Sequence, residues 1–481
     1  MRRCLVIWLI LSSAIGLIAQ GPNFNWLIGD SILLSDDPSQ LSVNREVPLF
    51  GREAVSSHSL PDGTLLYYTN GIEVRNRDDA ILAGSEDLLT WGTAATGSTI
   101  SQGALFLPLP GDDQNRYCYL ILYSFDGVSQ FGWTYSLIDL AKDGGLGGVS
   151  DSIQNLFFSK NPTEQLHAVR KSDQESWWIF TRSSSSDSSR FFRRTLLDSS
   201  GFKNYPPIDC GMELHARIGE ITSSPDGCYL ASVGYTTDTP RGSIAVFNLN
   251  RGSGLIELIH GIQFEDDSRY YSAAFSPSSN LLYVNKFFPH PEEIIQINFT
   301  SEPIQILPIA SPVNSTFLDF GEMELASDGR IYFPTIAFGP LIADDHDNFL
   351  GTINYPDSLG PACNIDLAAI DLGDNIESIG ISDFPNYVEI PGNCLDTVPD
   401  TVTVIDNFVS PVLEIYPSIS DGLFHLHGTV DIVEVYNTSG VLIQAFQHVT
   451  YFDLGNVSPG LYVILLRNEN GDMVSRKILV Y

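Results

Sequence analysis

Short apolar runs separated by tight-turn sequences fill most of the chain beyond its first twenty residues. Residues 117–123 and 244–247 are apolar at consecutive positions, which is typical of strands covered on both faces. No long segment after residue 19 shows the three-to-four-residue apolar spacing of an amphipathic helix. The pattern therefore predicts an all-β protein.

One turn sequence recurs about every 50 residues, which is the period of a β-propeller blade. In such turns Pro sets the first backbone angle, Asp accepts from its own backbone, and Gly adopts a positive φ. The copies are Pro-Asp-Gly at 61–63 and 225–227, Pro-Ser-Ser at 277–279, Ser-Asp-Gly at 327–329, and two weaker copies at 112–115 and 172–175. We predict a propeller over residues 20–395 with about seven blades, six or eight being the alternatives, and closure by an N-terminal strand within 26–34.

The pattern changes after residue 411. Seven short strand candidates follow at 413–416, 423–427, 432–436, 441–446, 451–454, 461–467 and 473–480. Turn residues separate them, and this spacing predicts a small Ig-like β-sandwich over residues 412–481. The stretch 396–411, rich in Thr, Asp and Val, is predicted to be a linker.

The first 19 residues have the three parts of an export signal. Arg2 and Arg3 precede an apolar run over 5–18, and Ala19 precedes the expected mature start, Gln20. The run is too short to span ~30 Å of hydrocarbon comfortably. We therefore expect a signal peptide over 1–19 and no transmembrane span in the mature chain.

Acidic residues outnumber basic ones by 58 to 25, giving a formal charge of −33. Such a surface repels phosphate backbones and anionic lipid heads, so nucleic acid is not an expected partner. The charge is typical of a soluble extracellular protein, and the alternative is that some of the acids hold Ca²⁺.

Five cysteines remain after the signal, and an odd number leaves at least one thiol unpaired. Cys210–Cys228 and Cys363–Cys394 are the pairings adjacent in sequence, which an oxidising compartment would permit. Cys118 lies within an apolar run and is expected to be a lone buried thiol. The sequence leaves the pairing open.

Four motifs stand in order at the C-terminus: Tyr416-Pro417 with Asp421-Gly422, Val435-Tyr436-Asn437 with Ser439-Gly440, Pro459-Gly460-Leu461-Tyr462-Val463, and Lys477-Ile478-Leu479-Val480. The tail resembles the C-terminal sorting domain of type IX secretion cargo, although Ser418-Ile419 replaces the family's usual Asn-Pro. The resemblance implies a sorting motif formed by Pro459, Gly460, Tyr462, Lys477 and Val480.

The same resemblance implies a partner and a destination. The type IX machinery would read the tail, and the protein would pass through the periplasm to the outer-membrane surface or the medium, where the tail is usually removed. The alternative for this region is an ordinary Ig-like carbohydrate-binding or spacer module.

The middle of the chain carries Pro61-Asp62-Gly63 with residues 64–69, Phe275-Ser276-Pro277, and Gly380-Ile381-Ser382-Asp383-Phe384-Pro385-Asn386-Tyr387. These features resemble the secreted WD-repeat-like propellers that often precede such tails. The resemblance implies fold and location rather than chemistry.

Few residues stand out as candidate ligands. Asp344, Asp345 and Asp347 form the densest group of oxygen ligands and are a Ca²⁺ candidate, although they lack the EF-hand pattern. No other cofactor is indicated. His425 and His427 would share one face of a strand and are expected to be exposed.

The sequence has two pairs of adjacent aromatic residues and no recognisable catalytic motif. Trp177-Trp178 and Tyr270-Tyr271 are interpreted as core, with sugar stacking as the alternative. Residues 85–91 bear a faint likeness to a sialidase Asp-box but lack its glycine. The chain has no Gly-x-Ser-x-Gly elbow and no recognisable carboxylate pair, so no catalytic residue is predicted.

The sequence favours a secreted or cell-surface, non-catalytic propeller that binds a glycan, peptide or surface partner through one end of its ring. The alternative is an extracellular polysaccharide hydrolase or lyase with its site at the propeller mouth, which rests on fold analogy.

Overall fold

The structure is a computed structural model. It describes residues 25–37, 40–93, 97–128, 130–183, 190–237, 241–263, 267–289, 292–311, 317–338, 349–372, 379–388, 394, 414–416, 419–420, 423–427, 430–437, 441–449, 451–454, 457–458, 460–467 and 473–480. The expected signal peptide, and with it the 1–19 segment, lies outside these ranges.

Two compact units make up the chain, residues 1–397 and 398–481. The boundary falls inside the stretch interpreted as a linker, whose residues 396–411 are not among those described. Within the described ranges, no helix has the length and apolarity needed to traverse a bilayer.

The first unit is built from short antiparallel strands. They are β1 (Asn25–Ile28), β2 (Asp30–Asp37), β3 (Gln40–Phe50), β4 (Ser56–Ser59), β5 (Leu65–Thr69), β6 (Val74–Asn76), β7 (Ala104–Pro108), β8 (Tyr117–Phe125), β9 (Phe131–Asp139), β10 (Gly148–Val149), β11 (Leu156–Lys160), β12 (Pro162–Arg170), β13 (Trp177–Ser183), β14 (Phe191–Asp198), β15 (Gly201–Asn204), β16 (Ile208–Asp209), β17 (Ile218–Ser223), β18 (Tyr229–Thr236), β19 (Arg241–Asn250), β20 (Leu255–Gln263), β21 (Arg269–Phe275), β22 (Leu281–Phe288), β23 (Glu293–Asn298), β24 (Gln305–Ala310), β25 (Phe317–Phe320), β26 (Glu324–Leu325), β27 (Ile331–Phe338), β28 (Phe349–Ile353) and β29 (Ile365–Asp371).

These strands form seven sheets in chain order among the described residues, as a β-propeller requires. We number the blades I (β4–β6), II (β7–β11), III (β12–β16), IV (β17–β20), V (β21–β24), VI (β25–β29) and VII (β1–β3). The predicted all-β propeller fold is confirmed.

The repeated turn of the sequence lies just after the inner strand or strands of blades I to VI. In three copies an aspartate Oδ1 accepts the N–H two residues ahead, and a glycine with positive φ follows: Asp62 with Gly63, Asp226 with Gly227, and Asp328 with Gly329. In the weaker copies Asp112 and Asp173 accept in the same way. The six turns therefore mark six blades, and the seventh blade is formed without such a turn.

Blade VII is assembled from both ends of the unit. Residues 379–383, the closing strand, lie antiparallel to β1, with Ile381 opposite Ile28. The Leu27 N–H donates to Ser382 Oγ at 2.8 Å. Because its inner strand and its outer strands come from opposite ends of the unit, this blade needs no repeated turn. The N-terminal strand expected to close the ring is thus β1.

Aromatic side chains fill the spaces between blades. Trp26 of blade VII packs 6.3 Å from Tyr332 of blade VI, with the rings at 89°. Trp177, Trp178, Tyr270 and Tyr271 are all buried, which confirms their interpretation as core. Each fully buried side chain of this size stabilises the fold by roughly 2–3 kcal/mol.

The disulfide differs from both pairings that sequence proximity suggested. Cys228 bonds Cys394, 166 residues away, while Cys118, Cys210 and Cys363 are buried free thiols. The pairings Cys210–Cys228 and Cys363–Cys394 are therefore wrong, and the lone buried Cys118 is confirmed. The reason is that Cys394, although distant in sequence, lies beside Cys228 just before β18, with 4.8 Å between their Cα atoms.

The second unit has the strands β30 (Glu414–Tyr416), β31 (Ile419–Ser420), β32 (Leu423–His427), β33 (Ile432–Asn437), β34 (Leu442–Gln447), β35 (Tyr451–Asp453), β36 (Gly460–Arg467) and β37 (Met473–Val480). They form a three-stranded sheet, β30-β32-β35, and a five-stranded sheet, β31-β37-β36-β33-β34. Phe424, Phe452, Val433 and Ile464 meet in one core, which makes the unit the predicted β-sandwich. The short β31, parallel to β37, was not predicted.

Candidate functional site

The two ends of the ring differ in their described residues. We call the end where the inner strands begin the mouth, and the end that carries the repeated turns the turn end. Residues 384–388, the crossing segment, lie at the turn end. The Asn386 N–H donates to the Ala168 carbonyl at 2.8 Å, and the Arg170 N–H donates to the Asn386 carbonyl at 2.8 Å. Because the closing strand belongs to blade VII, these bonds to blade III span the ring.

The crossing segment is also fastened by side chains. The Asn386 amide donates to Ser223 Oγ at 2.8 Å and to the Ser224 carbonyl at 2.7 Å, both in blade IV. Ser223 Oγ lies 2.8 Å from His167 Nε2. Burial lowers the pKa of His167 to about 4, so its imidazole is neutral at physiological pH. This serine–histidine pair anchors the crossing segment over the turn end.

Five carboxyl groups gather at the mouth end of the axis, contributed by blades I, III, IV, VI and VII: Glu53, Glu164, Glu220, Glu322 and Asp383. Glu322 is only 1% exposed and Glu220 only 5%. Burial on this scale is costly for an ionised carboxylate, which either finds a cation or keeps its proton.

Tyr271 of blade V bridges two of these carboxyls. Its hydroxyl lies 2.9 Å from Glu53 Oε2 and 3.4 Å from Glu322 Oε1. A phenol has one proton to donate. Both contacts are hydrogen bonds only if one of the carboxyl groups carries a proton of its own.

The local environment favours that protonated form. Burial, reinforced by the charge of Glu164, raises the pKa of Glu53 to about 8. Burial raises the pKa of Glu164 to about 7 and that of Glu220 to about 8. Burial and then the Asp383 carboxylate hold the pKa of Glu322 well above its usual range. Several of these groups are neutral hydrogen-bond donors at pH 7.

Polar side chains fill the axis at this depth. Ser272 Oγ donates to Glu220 Oε2 at 2.8 Å and accepts the Met323 N–H at 2.6 Å, which joins blades IV, V and VI. Gln102 Oε1 accepts the N–H groups of Leu166 and Ile221, at 3.1 and 2.8 Å. The axis is thus a packed polar core, and a ligand would meet it from the mouth.

The rim of the mouth carries tyrosines and arginines. Burial, with the Glu164 carboxylate, raises the pKa of Tyr123 to about 12. The Arg269 guanidinium lies 5.6 Å from the Tyr235 ring and 4.8 Å from the Phe288 ring. Half-buried Tyr123 and Tyr235 present aromatic surface beside the axial carboxyl groups, a combination that suits a polar ligand.

Tyr271 is not suited to nucleophilic attack. Burial and then the carboxylates of Glu53 and Glu322 hold its pKa well above 10, so its hydroxyl keeps its proton at neutral pH. Glu53 and Glu164 are better placed to act, because they lie nearer the mouth and each can supply a proton near pH 7.

The residues singled out in the sequence lie elsewhere. Asp344, Asp345 and Asp347 fall outside the described residues, so the Ca²⁺ site remains a prediction. In the part of the chain that is described, no group of three His, Cys, Asp or Glu side chains is arranged to hold a metal ion.

The proposed sorting residues belong to the sandwich. Pro459 is not among the described residues, and Lys477 lies on β37 with its side chain undescribed. Gly460 begins β36. The Tyr462 hydroxyl donates to the Ser458 carbonyl at 2.6 Å, and Val480 is buried in the core. Phe424 and Leu426 point inward as expected, while the side chains of His425 and His427 are undescribed.

The axial acids are not among the residues predicted from sequence, although the sequence carries a signal for them. Four of them precede the aspartate of their blade's turn by six or nine residues: Glu53 before Asp62, Glu164 before Asp173, Glu220 before Asp226, and Glu322 before Asp328. Aligning the blades on their turns would have placed these acids together at the mouth.

Comparison with known proteins gives the following. No protein-family model matches the chain. No curated protein matches it. Solved structures similar to it include the Pseudomonas aeruginosa periplasmic gluconolactonase PpgL, with a TM-score of 0.37 at 10% identity over 95% of this chain and 96% of that one.

Two further structures are similar at the same level. The β-propeller domain of Cps50 from Myceliophteria thermophila has a TM-score of 0.38 at 12% identity, over 66% of this chain and 94% of that one. An exo-β-1,3-galactanase from Phanerochaete chrysosporium has a TM-score of 0.35 at 10% identity, over 83% of this chain and 93% of that one. Likeness this distant assigns no activity to the chain, and the fold assignment rests on its own seven sheets.

Proposed function

We propose that this protein is an exported, non-catalytic binding propeller whose ligand docks at the mouth of the ring. The observation that carries the proposal is the contrast between the two ends. The crossing segment spans the turn end and is tied to blades III and IV. The mouth instead gathers carboxyl groups, arginines and tyrosines, of which Glu53, Glu164, Tyr123 and Tyr235 are only partly buried.

The chemistry of the mouth selects among ligands. Protonated Glu53 donates a hydrogen bond, and Glu164, whose pKa is about 7, can donate or accept one near neutral pH. The rings of Tyr123 and Tyr235 offer stacking surface. A formal charge of −33 over the whole chain disfavours polyanions. An uncharged glycan fits best, with a peptide or surface partner as the alternatives.

The binding test uses the mature full-length chain in native gels containing embedded polysaccharides. We expect a neutral polysaccharide to retard migration without clearing of the gel. Glu53→Gln keeps the size of the side chain but offers different donors, so it should weaken retardation. The exposed Glu257→Gln, on β20, is the matched control. Equal retardation of wild type, E53Q and E257Q would place the binding site elsewhere.

A hydrolase or lyase remains the second candidate, and one observation favours it. Glu53 and Glu164 have pKa values raised to about 8 and about 7, which suits a general acid at neutral pH. In that case the gels would show clearing, and E53Q or E164Q would abolish it.

Export by the type IX route is the second part of the proposal. The signal over 1–19 and the motif residues Pro459, Gly460, Tyr462, Lys477 and Val480 support it. We expect the mature protein to begin at Gln20 and to reach the outer surface or the medium. Deleting residues 412–481 should retain the protein in the periplasm, and its appearance outside the cell without the tail would contradict this route.

A further inference from the structure

An aromatic ribbon lies on the mouth side of blade II and the loop before it. We define it as Tyr123, Phe131, Phe125 and Trp91. Ring centroids are 6.2 Å apart for Tyr123–Phe131, 4.8 Å for Phe131–Trp91 and 4.6 Å for Phe125–Phe131. Trp91 is 41% exposed, and Val128, beyond Phe125, is 84% exposed. The ribbon is a continuous apolar strip that reaches solvent.

One end of the ribbon is part of the mouth. Tyr123 lies near the mouth end of β8, within electrostatic range of Glu164 and Arg217. On its other side its ring contacts buried Trp133 at 5.1 Å. The ribbon therefore begins at the rim of the mouth.

The other end is held in place by hydrogen bonds. The Leu89 carbonyl accepts Ser124 Oγ at 2.7 Å, and the Leu89 N–H donates to Asn155 Oδ1 at 2.8 Å. The Asn155 amide in turn donates to the Asp87 carbonyl at 2.8 Å. These bonds fix the loop that carries Trp91 against blade II.

A rigid aromatic loses little conformational entropy when it binds, and its flat apolar face suits the C–H face of a sugar ring. The two steps from Tyr123 to Trp91 are each comparable with the span of one hexose residue. The hydroxyls of such a chain would find hydrogen-bonding partners at the mouth.

We infer that the aromatic ribbon is an extended subsite for a neutral polymeric glycan, whose end or branch lies at the mouth and whose chain continues over Phe131 to Trp91. The inference rests on the proposed function, because the ribbon extends the mouth. It adds two expectations. The affinity increases with the length of the glycan, and this increase depends on Trp91.

The test compares Trp91→Ala with Tyr205→Ala in the mature full-length chain. Tyr205 is 40% exposed and makes an edge contact with Trp178 at 5.2 Å, so it matches Trp91 in exposure and packing but lies on blade III, off the ribbon. The probes are laminarin, xylan and galactomannan as neutral polymers, alginate as an anionic polymer, and the disaccharide and hexasaccharide of whichever polymer binds.

We expect Trp91→Ala to lower affinity for the polymer and the hexasaccharide roughly five- to tenfold. Trp91→Ala should leave the affinity for the disaccharide unchanged, and Tyr205→Ala should leave the affinity for every one of these ligands unchanged. Trp91→Phe should keep most of the affinity because it keeps a stacking face.

The outcomes distinguish a failure of the aromatic ribbon as a subsite from a failure of the mouth as the binding site. If E53Q weakens polymer binding while Trp91→Ala does not, the ribbon is not a subsite and the mouth still is. If Trp91→Ala weakens binding while E53Q does not, the mouth assignment fails. Retardation by alginate alone, or by none of the polymers, overturns the glycan inference.

Discussion

The hydroxyl of Tyr271 lies 2.9 Å from Oε2 of Glu53, although the two residues are 218 positions apart and come from blades on different sides of the ring. The same hydroxyl reaches Glu322, whose other oxygen accepts the N–H of Ile381 in the closing strand at 3.0 Å. Blades I, V and VI and the closing strand are thus joined through carboxyl groups that share protons. Neutral hydrogen bonds hold this axis together, and its strength depends on proton concentration.

Stability should fall as pH rises. Glu220 has a folded-state pKa of about 8, above the ordinary value of 4.5, so the folded state binds a proton that the unfolded state releases. The resulting stabilisation is complete below pH 4.5 and is lost as pH rises to about 8. We expect thermal unfolding to give a higher melting temperature at pH 5 than at pH 9, and Glu220→Gln to reduce this difference.

The matched control lies on the same blade. Exposed Glu257→Gln removes a carboxylate from β20 and should leave the pH dependence as in wild type. At pH 5 Glu220→Gln should be close to wild type, whereas at pH 9 it should be more stable. A melting temperature that rises between pH 5 and pH 9 would contradict the proton-sharing axis.

The disulfide should fasten the end of the propeller. Removing a bond that closes a loop of this length costs roughly 2–5 kcal/mol. Because Cys228 and Cys394 are partners, Cys228→Ser, Cys394→Ser and the double variant should be destabilised equally in chemical denaturation. If Cys394→Ser were silent while Cys228→Ser was not, Cys228 would have another partner.

The crossing segment should depend on one amide. Asn386→Ala removes the bonds to Ser223 Oγ and the Ser224 carbonyl and the local bond from the Val388 N–H to Asn386 Oδ1. We expect a loss of roughly 2–4 kcal/mol in the free energy of unfolding and faster amide hydrogen exchange at Arg170. Asn386→Asp keeps the acceptor oxygen but loses the N–H donor. Its free energy of unfolding should therefore lie between those of wild type and Asn386→Ala. Unchanged exchange at Arg170 would show that the backbone pairing alone holds the segment.

The closing strand should not tolerate a side chain at Gly380. A Cβ there would lie 2.7 Å from the Arg52 carbonyl oxygen and 2.9 Å from the Glu53 Cα, and neither backbone atom can swing aside. Gly380→Ala should cost roughly 1–3 kcal/mol. Gly252→Ala, whose nearest neighbours are the side chains of Asn250 and Ser172, is the control. Equal melting temperatures for the two variants would contradict the close packing of the closing strand.

The fold could be predicted because its signals are local. Each repeated turn needs an Asp that caps its own backbone and a residue tolerant of positive φ, and both can be recognised in a few residues around Asp62, Asp226 and Asp328. The strand candidates of the tail likewise fall within two residues of the strands of the sandwich, because turn residues bound them. In the weaker turn at 112–115 two aspartates are adjacent, and it is Asp112 that accepts the bonds.

The site could not be predicted in the same way because it depends on ring closure. Glu53, Tyr271 and Glu322 have no local relation in sequence, and each resembles an ordinary strand residue until the blades meet. The disulfide could not be predicted for the same reason. Sequence proximity favours Cys210 for Cys228, whereas the partner is Cys394, 166 residues away.

Blade VII combines strands from both ends of the first unit, and this affects the order in which the propeller folds. Leu27 and Ser382, which meet in that blade, are 355 residues apart, so β1 has no inner neighbour until almost the whole unit has been synthesised. Contacts of such long range slow folding. A nascent chain would therefore remain an open arc with an unpaired strand edge until residues 379–388 arrive. A circular permutant that links the end of the first unit, beyond the crossing segment and Cys394, back to β1 should fold faster than the natural order of the chain.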